Sequence, residues 1–371
     1  MSKTLLATLT IIGATMGAGM LGIPYVIAKS GFTLGLILMI FIALVILLIN
    51  LYIGEIALRT KGTHQLTGYA EKYLGQKGRI LMTLSVFFGV YAALVAYLVA
   101  EGESLSYLIF NTAQYQVYLG ILFWLILSVI GWFGLKALEE GEEVGVTFIL
   151  ITIISIVVIS WNKINPANLS QININQVFTP FGVVLFAFLG FSAIPEVIRM
   201  LKQQKTGLKK SLIAANLITL IIYIIFTIVV VGTKGTSTPP IATLALGKPF
   251  IFLGMITMLT AYLVHTNALI DTLRFDFKKS RKEAWLIVVL VPLALFLILS
   301  FLKIAAFTKI IGFGGAISGG LAAILILFMV KKAKAQGEEK PAYSIPYSEI
   351  LTWILIILFV LGALREIINL I

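Results

Sequence analysis

The chain has 371 residues, of which 60% are hydrophobic and 12% charged, a balance outside that of soluble domains. It has no cysteine, which excludes disulfides and thiolate metal centres. A net charge of +12 raises the question of a nucleic-acid partner, and the placement of the basic residues excludes one.

Apolar stretches long enough to cross a bilayer recur along the whole length. Eleven spans are expected, over 4–28, 31–58, 79–108, 116–134, 143–160, 177–201, 208–232, 248–273, 284–302, 310–330 and 347–370. The first is too long for the apolar core of a signal peptide and no small-residue cleavage site follows it, so it is expected to be retained. Polar segments between spans reach only about 20 residues, too few for a soluble domain. Lys and Arg gather in alternate loops: Arg59 to Arg79, Arg199 to Lys210, Arg274 to Lys282 and Lys331 to Lys340. With Lys3 and Lys136, that side holds 21 of the 28 basic residues. This is the positive-inside pattern, which predicts a cytoplasmic N-terminus and an outside C-terminus in a plasma membrane. The charge serves topology in a lipid bilayer, and no nucleic acid is expected.

Span one contains Gly19-Met-Leu-Gly-Ile23-Pro24-Tyr-Val26-Ile27, and span six contains Gly190-Phe-Ser-Ala-Ile194-Pro195-Glu-Val197-Ile198, 171 positions later. Glycine and proline are poor helix propagators. In lipid an opened backbone survives only where it is buried in protein or lines a cavity. Shifting the first five spans by 171 positions lays them nearly on spans six to ten. An odd number of crossings inverts the second set, so the chain is expected to hold two inverted repeats, 1–160 and 177–330. A peripheral eleventh span at 347–370 lies outside them. Paired broken spans in corresponding places point to a transporter's substrate site.

In span one, Gly13-Ala-Thr15-Met16-Gly17-Ala18-Gly19 concentrates glycines at mid-membrane depth. Opening a turn there exposes N–H groups that suit a carboxylate and carbonyls that suit an ammonium, the two ends of an α-amino acid. Thr15, Gly17, Ala18 and Gly19 are therefore candidate binding residues. Gly17-x-Gly19-x-x-Gly22 also matches a dinucleotide fingerprint, but it follows no strand and has no acidic residue before Glu55. Tight helix packing by small residues is the other reading, and Pro24 with the matching break in span six weighs against it. In span six the opening is expected over Phe186 to Ser192, with Phe188 and Phe191 lining an apolar pocket and Ser192 supplying a hydroxyl. Tyr97 in span three lies too deep for the interfacial aromatic belt and is expected to close over the carboxylate.

These residues resemble the amino acid/auxin permease and aromatic amino acid permease branches of the amino acid–polyamine–organocation superfamily. The run Gly13 to Pro24 looks like that group's first-span signature, and Leu185 to Glu196 looks like its sixth span in prokaryotic members. Glu55-x-x-Leu-Arg59, Gly62-x-His64-Gln65-Leu66 and Tyr73-Leu74-Gly75 resemble its second span and following loop. Pro240 to Gly247 resembles its short outer lid helix. The resemblance implies an all-α integral membrane protein with the LeuT-like 5+5 inverted repeat, discontinuous spans 1 and 6 and an added eleventh span. It implies amino-acid transport by alternating access, with no cofactor.

Sodium-coupled relatives carry an asparagine where this chain has Gly13. A second sodium position, implied by the same resemblance, would use carbonyls of Gly13 and Met16 with a hydroxyl from span eight, Thr260 or its neighbour Thr257. Span five has no lysine of the kind some proton-coupled relatives place there. His265, an intramembrane titratable group, is the candidate carrier of a coupling proton. Protons are thus favoured over sodium as the coupling ion. Glu101 and Glu196 lie a turn or two from a membrane face, and Glu196 is a candidate gate beside Arg199. Glu55 and Glu103 are nearer the faces, with Arg59 a partner for the former. Two histidines and two aspartates, His64, His265, Asp271 and Asp276, make neither a metal cluster nor an aspartyl pair on separate spans, so an enzyme is not expected. A channel lacks its filter loop and its ring of charge. A nutrient sensor on a transporter fold would read identically in sequence.

Overall fold

The computed structural model describes residues 2–17, 19–62, 64–133, 151, 153–201, 206–275 and 277–370. Every regular element among them is helical. Helix α1 (Lys3–Thr15) starts on Ser2, whose Oγ accepts from the Leu5 N–H at 3.2 Å. It stops at Met16, and α2 (Gly19–Ser30) resumes after a 61° bend. Gly31 turns the chain at a φ of 80°, open to glycine, where a Cβ would lie 2.6 Å from the Gln171 carbonyl oxygen. The long α3 (Phe32–Arg59) brings it back.

The next helix, α4 (Leu66–Phe110), is expected as one span from 79, but it begins earlier. At Gly75 its backbone leaves the helical region (φ 74°, ψ −168°), so Leu66–Leu74 forms a short arm before the span proper. Then follow α5 (Gln116–Phe133) and α6 (Ile153–Lys163). Half of the expected fifth span, 143–150 and 152, lies outside the described residues, as do Lys136, Lys202 and Lys205.

Span six is cut in two: α7 (Phe181–Ala187), a 3-10 turn at Phe191–Ala193, then α8 (Ile194–Met200) with Pro195 in its first turn, where a missing N–H costs nothing. The opening therefore begins at Phe188, and Phe186, expected inside it, is still helical. Beyond lie α9 (Gly207–Lys234), a 3-10 turn at Ala242–Ala245, α10 (Lys248–Phe275) and α11 (Arg281–Phe301). Span ten is α12 (Phe307–Gly314) and α13 (Gly320–Gln336), joined by a π turn at Gly315–Gly319. The last helix is α14 (Glu349–Leu370).

Six of these helices and the joined α12–α13 unit are long and apolar enough to cross a membrane, and the bent pair α1–α2 makes an eighth span. The other expected spans are α5, α6 and the divided α7–α8. Helix α1 packs chiefly on α9, and α2 on α9, α7 and α3. Helix α4 is the second hub, flanked by α5, α10, α12 and α13. Small residues let α7 approach α2 and the π turn closely: a Cβ on Gly19 would lie 2.7 Å from Ala187 Cα, and one on Gly315 2.3 Å from the Gly182 carbonyl oxygen. The eleventh span, α14, though largely outward-facing, is docked. Its Glu366 carboxylate sits between Gly182 and Gly312, with Oε1 and Oε2 at 2.8 and 3.2 Å from the positions of their absent Cβ atoms.

Candidate substrate site

The two breaks face one another. Helix α1 ends because Met16 takes a φ of −82° and ψ of 83°, with its N–H still on the Ile12 carbonyl at 2.8 Å. Gly17 then donates to Thr15 at 3.1 Å and Met20 to Gly17 at 3.3 Å, a loose turn instead of a helical one. Across from it, α7 ends at Ala187 and the chain runs open to the 3-10 turn at Phe191. The Tyr223 hydroxyl of α9 donates to the last carbonyl of both half-helices, Thr15 at 3.2 Å and Ala187 at 2.9 Å. Tyr223 is completely buried.

A cavity of about 110 Å³ opens between the breaks. Thr15, Gly17 and Gly19 form one wall, and Phe186, Ala187, Leu189 and Phe191 the opposite one. Tyr97 of α4 closes the top, with its hydroxyl 3.2 Å from where a Cβ on Gly17 would stand. From there the cavity follows one face of α4, through Ala93, Gly89 and Ser85, toward Leu66 and the side that holds the N-terminus. Ser85 donates to the Ser318 carbonyl at 2.7 Å, which fixes α4 to the π turn. No described lining residue on α4 lies beyond Tyr97 toward Phe110. A larger cavity, about 280 Å³, lies apart from the breaks among His64, Glu71, Arg79 and Thr272, and neither broken span lines it.

Of the predicted binding residues, the structure brings Thr15, Gly17, Gly19, Tyr97, Phe186 and Phe191 to this cavity. Phe188 departs from expectation. The first residue past α7 swings its ring onto Tyr223, edge to face at 5.1 Å, and it lines no part of the cavity. Ala18 and the Ser192 side chain lie outside the described residues. Gly13 is the third residue from the end of α1 and Met16 is buried, and neither reaches the cavity.

Thr260 is not brought to them. Its hydroxyl donates to the Thr257 carbonyl at 2.9 Å, and that of Thr257 to Gly254 at 2.7 Å, so both serve their own helix. Helix α10 packs chiefly on α4 and α11. His265 instead lines the cavity, its ring 5.9 Å from Tyr97. Nδ1 lies 2.8 Å from the Ala261 carbonyl, which can only accept, so Nδ1 carries the proton and Nε2 is the basic nitrogen. Glu196 is exposed in the first turn of α8, with Arg199 in its last. Sequence reasoning missed Tyr223, and the signal was there: like Tyr97, it is a hydroxyl placed deep in an apolar span.

The sequence model of the tryptophan/tyrosine permease family matches residues 1–238, and the chain belongs to that family. It is 26% identical over 229 residues to the tyrosine-specific transport system 1 of Haemophilus influenzae, covering 61% of this chain and 57% of that protein. It is 22% identical over 232 residues to glutamine transporter 2 of Aliivibrio fischeri, covering 61% and 60%. The chain thus aligns with about 60% of the length of these curated relatives. The crystal structure of MhsT in complex with L-phenylalanine matches 99% of this chain and 98% of that one, with a TM-score of 0.69 at 16% identity. That likeness shows the fold, a LeuT-like all-α multi-pass membrane architecture.

Proposed function

We propose that this permease-family chain is a secondary transporter that carries neutral, apolar or aromatic amino acids by alternating access. One observation carries the reading: both broken spans open onto a single cavity whose described lining holds no Asp, Glu, Lys or Arg. Backbone N–H groups and carbonyls at the breaks serve the substrate's carboxylate and ammonium, and Tyr97 stands over Gly17 to meet the carboxylate. A cationic substrate side chain would find no carboxylate there, at a cost of several kcal/mol in low dielectric, and the one titratable imidazole, His265, is kept for the coupling proton. Phe186 and Phe191 offer it apolar walls instead. The names of the relatives, transporters of tyrosine and glutamine, and the phenylalanine held by MhsT agree with a neutral side chain.

The finer assignments rest on the same residues. Protons are favoured over sodium, because Gly13 has no side chain to offer and His265, a titratable group, lines the cavity. The repeats are placed at 1–160 and 177–330, with 347–370 outside them. The basic loops put the N-terminus in the cytoplasm, and the cavity then opens inward. The motifs of spans one and six support a reading within the amino acid/auxin and aromatic amino acid permease branches.

The test is uptake of a panel of labelled amino acids into proteoliposomes, with pH and sodium gradients imposed separately. Saturable uptake of tyrosine, phenylalanine or leucine driven by outside acid is expected. Preference for lysine or glutamate overturns the substrate class, and dependence on sodium at fixed pH overturns the ion.

A further inference from the structure

Glu101 lies on α4 one turn beyond Tyr97, on the side away from the cavity. It is completely buried, as are Ala100 before it and Ser104 one turn on. Neither carboxylate oxygen has a hydrogen-bond partner among the described residues. The Ser104 hydroxyl, on the same helix face, is also unpartnered. Tyr97, itself 1% exposed, separates this pair from the cavity.

Among the described residues, the surroundings supply no counter-charge. On α4 the nearest titratable groups are Tyr97 and Glu103. Helix α5, which meets this stretch at Gly102, has Tyr118 alone, and that side chain is 73% exposed. From α10 the facing groups are Tyr262, whose ring packs on Tyr97, and His265 on the cavity side. Lys248 begins α10, about 15 Å farther along its axis than the turn that faces Glu101. Asp271 and Arg274, near the end of α10, pair with each other. Arg281, Lys282 and Glu283 form the first turn of α11, at the opposite end. Lys309 of α12 is exposed, Lys331 and Lys334 of α13 pair with Glu349 and Glu55, and Lys332 is exposed beside them.

An ionised carboxylate sealed in this way, with neither a hydrogen bond nor a cation, carries a desolvation penalty of several kcal/mol. One carboxyl and one hydroxyl are also too few oxygens for a metal cation, which wants about six. Building on the transport reading above, we propose that Glu101 is a proton-binding site. It takes one proton from water on the far side as that side closes over Tyr97, and is held as the neutral acid until water next reaches it. Closure of the far side then consumes a proton, and acid on that side favours it. His265 faces the cavity and Glu101 faces away, so the two titratable groups flank the same tyrosine.

The absence of cysteine makes a clean test available. Val183 packs against Gly22 and Gly312 on the far side of the cavity and is 2% exposed, so a Val183→Cys reporter is labelled only when that side opens. The full chain in liposomes is treated with a membrane-impermeant maleimide from pH 5 to 8, with Glu101 or with Glu101→Gln in the same background. The ratio of the two rates cancels the thiol's own titration. That ratio is expected to rise with pH, by up to roughly tenfold per unit for one linked proton. A ratio that stays flat overturns the proposal. So does a ratio set by sodium at fixed pH. Should the Gln variant fail to insert, Glu101→Asp replaces it, and an unmoved pH midpoint in that variant is the refuting result. Labelling needs no substrate, so the two readings fail separately. Amino acids without effect beside a pH-dependent ratio sink transport, and amino-acid protection beside a flat ratio sinks Glu101.

Discussion

Glu55 and Glu101 are both glutamates on membrane helices, both fully buried, and their surroundings are opposite. Glu55, in the last turns of α3, accepts from Arg59 Nε at 2.9 Å, Lys334 Nζ at 2.6 Å, Ser344 Oγ at 2.8 Å and the Ile345 N–H at 2.8 Å. Its charge ties α3, α13 and the loop before α14 into one collar. Glu101 has none of this. A buried charge with every lone pair answered is structural, because its protonation would undo four contacts at once. A buried carboxyl with no partner is free to exchange its proton whenever water arrives. Burial alone does not distinguish the two, and the count of partners does.

The largest expected effect tests the collar. Glu55→Ala leaves Arg59 and Lys334 half-buried without their anion, and should cost about 3–5 kcal/mol in unfolding of the detergent-solubilised protein. Glu101→Gln, which exchanges one unpartnered polar group for another, should cost about 1 kcal/mol or less. Equal losses would break the contrast. Next is Gly19→Val. Its side chain would drive into Ala187, with the Cβ at 2.7 Å from the neighbour's Cα, costing about 1–3 kcal/mol of packing. Because both walls of the cavity move, uptake should vanish while the protein still inserts, and normal uptake would displace the site.

Tyr97→Phe removes only the hydroxyl over Gly17. A hydrogen bond to a charged group contributes about 1.5–3 kcal/mol, so substrate affinity should fall by roughly 10- to 150-fold in a binding titration. The smallest effect is at the surface. Lys72, and then the Lys61 N–H, hold the Glu338 carboxyl below the usual carboxylate range. A depressed carboxyl adds stability above its unfolded value and loses it as pH falls through the folded one. Glu338→Gln should therefore lower the melting temperature slightly at neutral pH, and the difference should disappear in strong acid. A difference that persists there would assign the effect to something other than charge.

The breaks were legible because their cause is local: glycine and proline weaken a helix wherever they stand, and the same pattern stands twice. Tyr97 and His265 were legible as polar groups at improbable depth. Side-chain direction past a break was not. Phe188 follows the last helical residue, and the lost periodicity turns its ring to Tyr223 instead of the cavity. The Glu55 collar joins residues about 280 positions apart, Glu55 to Lys334 and Ser344, which no local spacing reveals. The kink at Gly75 and the π turn at Gly315–Gly319 also lie in stretches that read as continuous apolar helix.

Tyr223 has a single hydroxyl proton for two carbonyls, and that scarcity has a mechanical meaning. The ends of α1 and α7 are soldered at one point, so drawing either away from the other strips one acceptor of its donor. In a dry interior that acceptor must be met by water or by another donor, or else the separation costs about 1–3 kcal/mol. The joint is therefore cheap to break in the presence of a new donor and expensive without one. A substrate ammonium is such a donor.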